Sequence, residues 1–438
     1  MMVSRAWRIR GGTRLHGDVS VSGSKNAVLP VLAASLLVSG ETVLENVPGI
    51  ADVASMVTLL RALGLDVDDK TRGVLLIRNE GLRSCRLPDQ YMSALRASHY
   101  LLGPVALKMG EVESAFPGGC DLGHRAIDHL LAPLHSLGMR SDVGKDRIRL
   151  RCGDLRAGVI ALDPRYRLAS ATYVSLIAAS VTRGITTIHN ASFEPDVFNV
   201  CQFLQSAGAR IGGIGSTTLV VEGVADLQGT RHRMNSDRLE GGTLLCAGGA
   251  TGGEILVRDL LLQDLGEGAE KLAETGAELT QTNNGVLLRS SGRPRAVDIT
   301  TGPFPASPTD IQPPMAALLS ISDGRSVIRE AIYQSRLQYA RELQRMGAKI
   351  TIADSCCAVV DGVSRLTGAT VEGGNIRDVA ALVIAALTAE GDSTVSGLQY
   401  LARGHCELDS KLRALGADIT DAQIGPREPK VIPLSPPG

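Results

Sequence analysis

The chain has 438 residues, room for two or three ordinary domains. With 44% hydrophobic and 21% charged residues it has the composition of a globular chain able to bury real cores. A net charge of −1 and only 3% aromatic residues argue against nucleic acid held by bulk electrostatics or by base stacking.

Residues 1–10 carry no apolar stretch of the secretory kind, so no signal peptide is expected. The longest apolar run, 27–38, is broken by Pro30 and is too short to span a bilayer, so no membrane partner is expected. The eight cysteines are scattered without paired CxxC spacing, which fits a reduced, cytoplasmic location.

The first helix begins at Gly23-Ser24-Lys25-Asn26-Ala27 and runs through Leu32-Ala33-Ala34-Ser35-Leu36. Gly40 turns the chain into the strand Thr42-Val43-Leu44-Glu45-Asn46. A second helix follows, with Val53, Met56, Leu60 and Leu63 on one face, and stops at Gly64. This unit recurs along the chain. Its terminal glycine returns as Gly138, Gly208, Gly276, Gly347 and Gly416, at spacings of 74, 70, 68, 71 and 69 residues by subtraction. Six units of about 70 residues, each with two helices and two strand segments, make a repeat architecture. The first helix of each unit is rich in small residues, as in Ile177-Ala178-Ala179-Ser180, which permits close packing at a centre with sheets around it. The expected fold is α/β: two inside-out α/β domains, each of three similar repeats around central helices. The expected domains are 25–232, and 1–24 combined with 233–424. The five prolines of 425–438 predict a disordered tail.

Unit two departs from the pattern. Its strand, 111–115, runs into Phe116-Pro117-Gly118-Gly119-Cys120-Asp121-Leu122-Gly123-His124-Arg125, a specially bent loop. A cysteine in such a loop, five residues from Arg125, is a candidate for a lowered pKa and for reactivity. Cys120, His124 and His129 lack a fourth zinc ligand in sequence, and no oxyanion signature supports a Cys–His hydrolase.

Counting back from the repeat glycines aligns a second set of residues. Lys25, Arg96, Arg167, Asp237, Asp310 and Arg377 lie 37 to 42 residues before their glycines. That places all six near the N-terminus of a central helix, where the macrodipole and free N–H groups favour anions. Arg125, Arg336 and Arg403 lie 11 to 13 residues before theirs, in the link to the second helix. An arginine at a helix start is often only a solvated surface group. Matched cations across repeats instead point to a cleft of focused positive potential and a small, multiply anionic ligand.

These residues resemble a known family, the enolpyruvyl transferases, over nearly the whole chain. The resemblance rests on Gly23-Ser24-Lys25-Asn26-Ala27, Leu95-Arg96-Ala97-Ser98, Pro117-Gly118-Gly119-Cys120, Pro308-Thr309-Asp310, Ser335-Arg336-Leu337, Asn375-Ile376-Arg377 and Ala402-Arg403-Gly404. It implies transfer of the enolpyruvyl group of phosphoenolpyruvate to a hydroxyl of a uridine nucleotide, with release of phosphate and with neither metal nor organic cofactor. The resemblance places Lys25, Arg96, Arg125, Arg336, Arg377 and Arg403 around the phosphate and carboxylate of phosphoenolpyruvate, anions suited to charge-assisted arginine contacts. It assigns catalytic roles to Cys120 as general acid, Asp310 as proton acceptor, Asn26 at the tetrahedral intermediate, and Lys25 and Arg403 at the developing charge. It also implies alkylation of Cys120 by the epoxide antibiotic fosfomycin. Arg125, Ala126, Ile127, Asp128, His129, Arg165, Arg167, Ser170 and Asp310 are the expected nucleotide-binding residues.

Two segments depart from the family. An Arg-Pro-Val-Asp segment reads Arg125-Ala126-Ile127-Asp128, and the diphosphate-holding Ser-Val-Gly-Ala-Thr reads Leu168-Ala169-Ser170-Ala171-Thr172. Ser170 stands where a glycine lets backbone approach phosphate. The preceding Arg165 and Arg167 suit a terminal monophosphate better than a bridging diphosphate. The first expectation for the acceptor is the 3-hydroxyl of UDP-N-acetylglucosamine, on the overall resemblance. The alternative is a hydroxyl of UMP, as in nucleoside-antibiotic pathways. A shikimate-type acceptor fits the Pro-Gly-Gly-Cys loop less well. A non-catalytic binder of nucleotide or phosphoenolpyruvate does not account for Lys25, Cys120, Asp310 and the arginines being kept together.

Overall fold

All six repeat glycines adopt positive φ, between 90° and 111°, as a helix-ending left-handed residue requires. The computed structural model describes residues 4–93, 95–116, 118, 127–165 and 169–424. Cys120, Arg125, Ala126, Arg167 and the expected tail 425–438 lie outside the described residues.

Five of the six glycines are followed by a β-hairpin rather than a single strand, while after Gly416 the strand Asp418–Ile424 pairs with Ser4–Arg10. After Gly64, Asp66–Asp68 pairs antiparallel with Val74–Asn79, which pairs in turn with Val38–Glu45. The reading of two strand segments per unit is therefore too small. The strand after the glycine is only three residues long in this unit and in Arg210–Gly212, so alternation has little length in which to show. Five sheets then gain a short parallel strand on the far side, as Val159–Ala161 joins Gly184–His189. The sixth, built from Glu111–Ala115, Arg147–Arg151 and Arg140–Val143, has three strands among the described residues.

The buried apolar side chains form two separate cores. One runs from Ala27 to Met234; the other combines Trp7, Ile9, Leu15, Val19 and Val21 with residues from Leu239 to Ile419. The chain thus crosses between them twice. The strand His16–Ser20 pairs parallel with Glu254–Arg258, and Ser4–Arg10 pairs antiparallel with Asp418–Ile424. In exchange, Arg231–Arg233 returns to pair parallel with Val38–Glu45.

The helices at the centre are buried on all sides. Every residue of Arg238–Ala250 and Gln312–Leu319 is buried, as is all of Ile376–Thr388 except its last. A helix without a polar face needs small side chains to approach its neighbours. A Cβ on Gly242 would lie 2.5 Å from Ile311 Cδ1, and one on Gly248 would lie 2.7 Å from Ile255 Cδ1. In the first core, Lys25–Ala34 and Ala169–Ala179 are the corresponding helices, buried from Ala27 and Ala171 onward. Two inside-out α/β domains of three repeats each are therefore the architecture of this chain. No helix among the described residues is long and apolar enough to cross a membrane.

Candidate active site

The two crossing segments run side by side and set the site. Gly23 and Ser236 form an antiparallel bridge, Ser24 N donates to Asn235 O at 2.7 Å, and Asp237 N donates to Ser22 O at 2.8 Å. A central helix starts immediately after each segment. Ser24 caps Lys25–Ala34 by accepting from Ala27 N, and Asp237 caps Arg238–Ala250 by accepting from Leu239 N and Glu240 N. Lys25 N also donates to Asp237 at 3.2 Å, so helix starts from the two halves abut.

The other aligned residues behave similarly. Arg96 opens a 3₁₀ turn, Arg96–Leu101, that continues into Leu102–Met109. Asp310 lies two residues ahead of Gln312–Leu319. Arg377 is the second residue of Ile376–Thr388, whose cap Asn375 accepts from the N–H groups of Arg377 and Asp378.

These helix starts surround a cleft of about 1560 Å³. The first core contributes Lys25, Asn26, Arg96, Asp128, His129 and Ser170 to its walls; the second contributes Asp310, Arg336, Arg377 and Arg403. Of the expected residues that are described, Ile127 packs into the first core instead. Arg165 is not a lining residue. Its guanidinium turns to Asp163 in a two-pronged contact at 3.0 and 2.6 Å, and its side chain is 76% exposed. That contact holds the Asp163 carboxyl down at about 2.

Two carboxylates neutralise the cations in pairs. Asp310 Oδ1 accepts from Arg336 Nη2, and Oδ2 accepts from Arg377 Nη2 at 3.1 Å. Burial alone would raise the Asp310 pKa, but the two guanidiniums outweigh it and hold the carboxyl well below its usual range. Asp52 takes the other pair: Lys25 Nζ lies 2.8 Å from Oδ2 and Arg403 Nε lies 2.8 Å from Oδ1. Asp52 is 4% exposed and ties a cation of the first core to one of the second.

Further buried groups fix these side chains. Arg377 Nη1 donates to His405 Nε2 at 3.0 Å. Burial, with Arg377, Lys411 and Lys25 nearby, pushes the imidazole pKa well below its ordinary value, so His405 is neutral with its proton on Nδ1. Glu330 accepts from Thr309 Oγ1 at 2.8 Å, Thr301 Oγ1 at 2.9 Å, Ile332 N at 2.8 Å and Tyr333 N at 3.0 Å. It thereby fastens the turn bearing Asp310 to the loop leading to Arg336. At the junction of the halves Arg238 donates to Glu194 at 2.6 Å and to Asp196 at 3.4 Å. Asp52, Glu330, His405, Glu194 and Arg238 belong to none of the motifs read from the sequence. The one available signal was position: Asp52 sits in the first turn of Ala51–Leu63, where an acid would pass as a response to the helix dipole.

A cleft lined by Lys25, Arg96, Arg238, Arg336, Arg377 and Arg403, with Asp310 among its carboxylates and helix N-termini around it, can hold a ligand bearing both phosphate and carboxylate and can move a proton at Asp310. Comparison with known proteins agrees with that chemistry. Residues 9–412 match the family described as EPSP synthase (3-phosphoshikimate 1-carboxyvinyltransferase). The chain is 40% identical over 414 residues to UDP-N-acetylglucosamine 1-carboxyvinyltransferase 2 of Caldanaerobacter subterraneus subsp. tengcongensis, covering 94% of this chain and 98% of that one. It is 37% identical over 411 residues to the UDP-N-acetylglucosamine 1-carboxyvinyltransferase of Halorhodospira halophila, again covering 94% and 98%. Among solved structures, the enolpyruvyl transferase NikO from Streptomyces tendae aligns with a TM-score of 0.87 at 24% identity, covering 97% of this chain and 100% of that one. EPSP synthase from Acinetobacter baumannii aligns with a TM-score of 0.75 at 17% identity, covering 96% and 100%. At those identities the two structures establish a shared fold.

Proposed function

The chain belongs to the EPSP synthase family and is a carboxyvinyl (enolpyruvyl) transferase, and from that premise we propose that it transfers the enolpyruvyl group of phosphoenolpyruvate to the 3-hydroxyl of UDP-N-acetylglucosamine. The observation that carries the proposal is the pairing of Arg336 and Arg377 on one carboxylate, Asp310, inside a cleft that also holds Lys25, Arg96 and Arg403. The names of the relatives at 37 to 40% identity support the acceptor. The Arg165–Asp163 contact weighs against UMP, because one of the two arginines taken to favour a monophosphate already has a carboxylate partner and does not line the cleft.

In this reading the carboxylate of phosphoenolpyruvate docks on Arg336 and Arg377, and its phosphate docks on Lys25, Arg96, Arg403 and Arg125. A carboxylate held as low as Asp310 is a weak base. Substrate binding solves that problem, because the substrate carboxylate competes for the same two guanidiniums and burial then raises Asp310 toward basicity. Asp310 accepts the proton of the acceptor hydroxyl as its oxygen bonds to C2 of phosphoenolpyruvate, and C3 takes a proton from Cys120. Asn26 holds the resulting tetrahedral adduct. Return of a C3 proton to the Cys120 thiolate and cleavage of the bond between C2 and the phosphate oxygen then give the enol ether and inorganic phosphate. The cleft contributes orientation and charge stabilisation throughout.

Phosphate release with phosphoenolpyruvate and each of UDP-N-acetylglucosamine, UMP and shikimate 3-phosphate tests the proposal. Release with UDP-N-acetylglucosamine is expected. Release with UMP alone overturns the acceptor assignment.

A further inference from the structure

The wall of the cleft carries buried hydrogen-bond donors, Tyr173 and Arg238 among them, that the reaction described above does not use. Tyr173 lies in Ala169–Ala179, three residues after Ser170 and therefore on the same helical face, and both line the cleft. Tyr173 is 1% exposed, yet its hydroxyl has no hydrogen-bond partner among the described residues. Its ring meets Tyr100 edge-on at 5.8 Å, and Tyr100, four residues after Arg96, lines the cleft as well. Tyr173 thus stands between the nucleotide end, marked by Ser170, and the reacting end, marked by Arg96. Burial and the carboxylates of Asp196 and Glu194 push its pKa well above the usual tyrosine value, so the hydroxyl keeps its proton and donates. Arg238, 4% exposed and also lining the cleft, uses Nη2 and Nε on Glu194 and Asp196 but leaves Nη1 without a partner among the described residues.

Buried polar groups are normally satisfied, and a cleft wall that leaves neighbouring donors such as these open is built for a ligand that satisfies them. Both open atoms are donors. Arg238 Nη1 can only donate and the Tyr173 hydroxyl has its proton free, so a group that brings lone pairs and no proton at the contacting atom, such as an amide carbonyl, uses both as donors. We propose that Tyr173 is a specificity determinant for the acceptor, its hydroxyl donating to the amide carbonyl of an acetamido group on the sugar between the nucleotide phosphates and the reacting hydroxyl, with Arg238 Nη1 as a neighbouring donor. This rests on the reading of the acceptor as a nucleotide sugar.

Tyr173→Phe tests it and keeps the ring packed on Tyr100. The expected result is an acceptor KM about tenfold higher for UDP-N-acetylglucosamine, with the KM for phosphoenolpyruvate unchanged and kcat within about twofold, the loss of one neutral hydrogen bond. For UDP-glucose, which has a hydroxyl in place of the acetamido group, the variant should match the wild type. The ligand-free variant should melt no lower than the wild type, because the hydroxyl it loses has no protein partner. An unchanged KM, an equal loss with both sugars, or a lower melting temperature overturns the proposal. A wild-type chain that uses UMP and not UDP-N-acetylglucosamine overturns the acceptor reading and this subsite with it. A wild-type chain that uses UDP-N-acetylglucosamine, with Tyr173→Phe indistinguishable from it, overturns the subsite alone.

Discussion

Replacing Asp310 by Asn keeps the shape of the side chain and removes its charge, and the structure predicts three linked effects. The first is kinetic: a positioned proton acceptor contributes roughly 10²–10⁴-fold, so kcat should fall by at least about 100-fold. The second is on stability. At 3.1 Å and an effective dielectric of about 20, the attraction between Asp310 and Arg377 is about 5 kcal/mol before desolvation. Arg336 and Arg377 are buried, and stripping a buried pair of one partner costs about 3–5 kcal/mol, so the ligand-free variant should melt several degrees below the wild type. The third effect separates this account from general damage. Phosphoenolpyruvate carries a carboxylate that can take the place of the missing one, so it should raise the melting temperature of Asp310→Asn more than that of the wild type. A phosphate-release assay and thermal melts with and without phosphoenolpyruvate read all three. A kcat within about threefold of wild type would remove Asp310 from the chemistry. A smaller ligand-induced shift in the variant would show that Arg336 and Arg377 do not receive the substrate carboxylate.

Asp52→Ala should lower the melting temperature through loss of the shared partner of Lys25 and Arg403, and inorganic phosphate should restore much of it; equal melting of variant and wild type would remove the bridge from the account. Cys120→Ala should reduce turnover by about 100-fold or more, as expected for a lost general acid, and should abolish a covalent fosfomycin adduct seen by intact mass; an adduct that persists would place the reactive thiol elsewhere. Burial raises the Glu194 carboxyl from 4.5 to about 7, against the pull of Arg238 and with help from Asp196 and Asp310. The folded chain therefore holds a proton that the unfolded chain has released. Its contribution to stability is fully present below about pH 4.5 and is lost as pH rises to 7, by up to about 3 kcal/mol. Urea midpoints across that range should slope less in Glu194→Gln, and an unchanged slope would refute the assignment.

The repeat was legible because one physical demand, a left-handed residue at the end of each second helix, is met by glycine at all six positions. That ruler placed Lys25, Arg96, Asp310 and Arg377 at or near helix starts without any alignment, and Arg336 and Arg403 in the links that face them. The parts that hold these residues in place were not legible. Asp52 is 351 residues from Arg403, Arg238 is 44 from Glu194, and His405 is 28 from Arg377. None of these spacings is a helical or strand period, and each residue alone reads as an ordinary surface charge or helix-cap acid. The short hairpin strands were missed for a related reason, since pairing rather than alternation defines three-residue strands such as Asp66–Asp68.

The two carboxylates also balance much of the positive charge gathered in the cleft. Lys25 and Arg403 share Asp52, and Arg336 and Arg377 share Asp310, so the buried charges leave one surplus cation in each set of three groups. A ligand with a single negative charge can balance one set and leaves the other as it was. A ligand with a phosphate at one end and a carboxylate at the other matches both sets at once, and on the proposed mechanism it also loosens the hold on Asp310. On the proposed mechanism recognition of the anion and activation of the base are the same event, and the acceptor hydroxyl meets a competent proton acceptor only when both ends of phosphoenolpyruvate are in place.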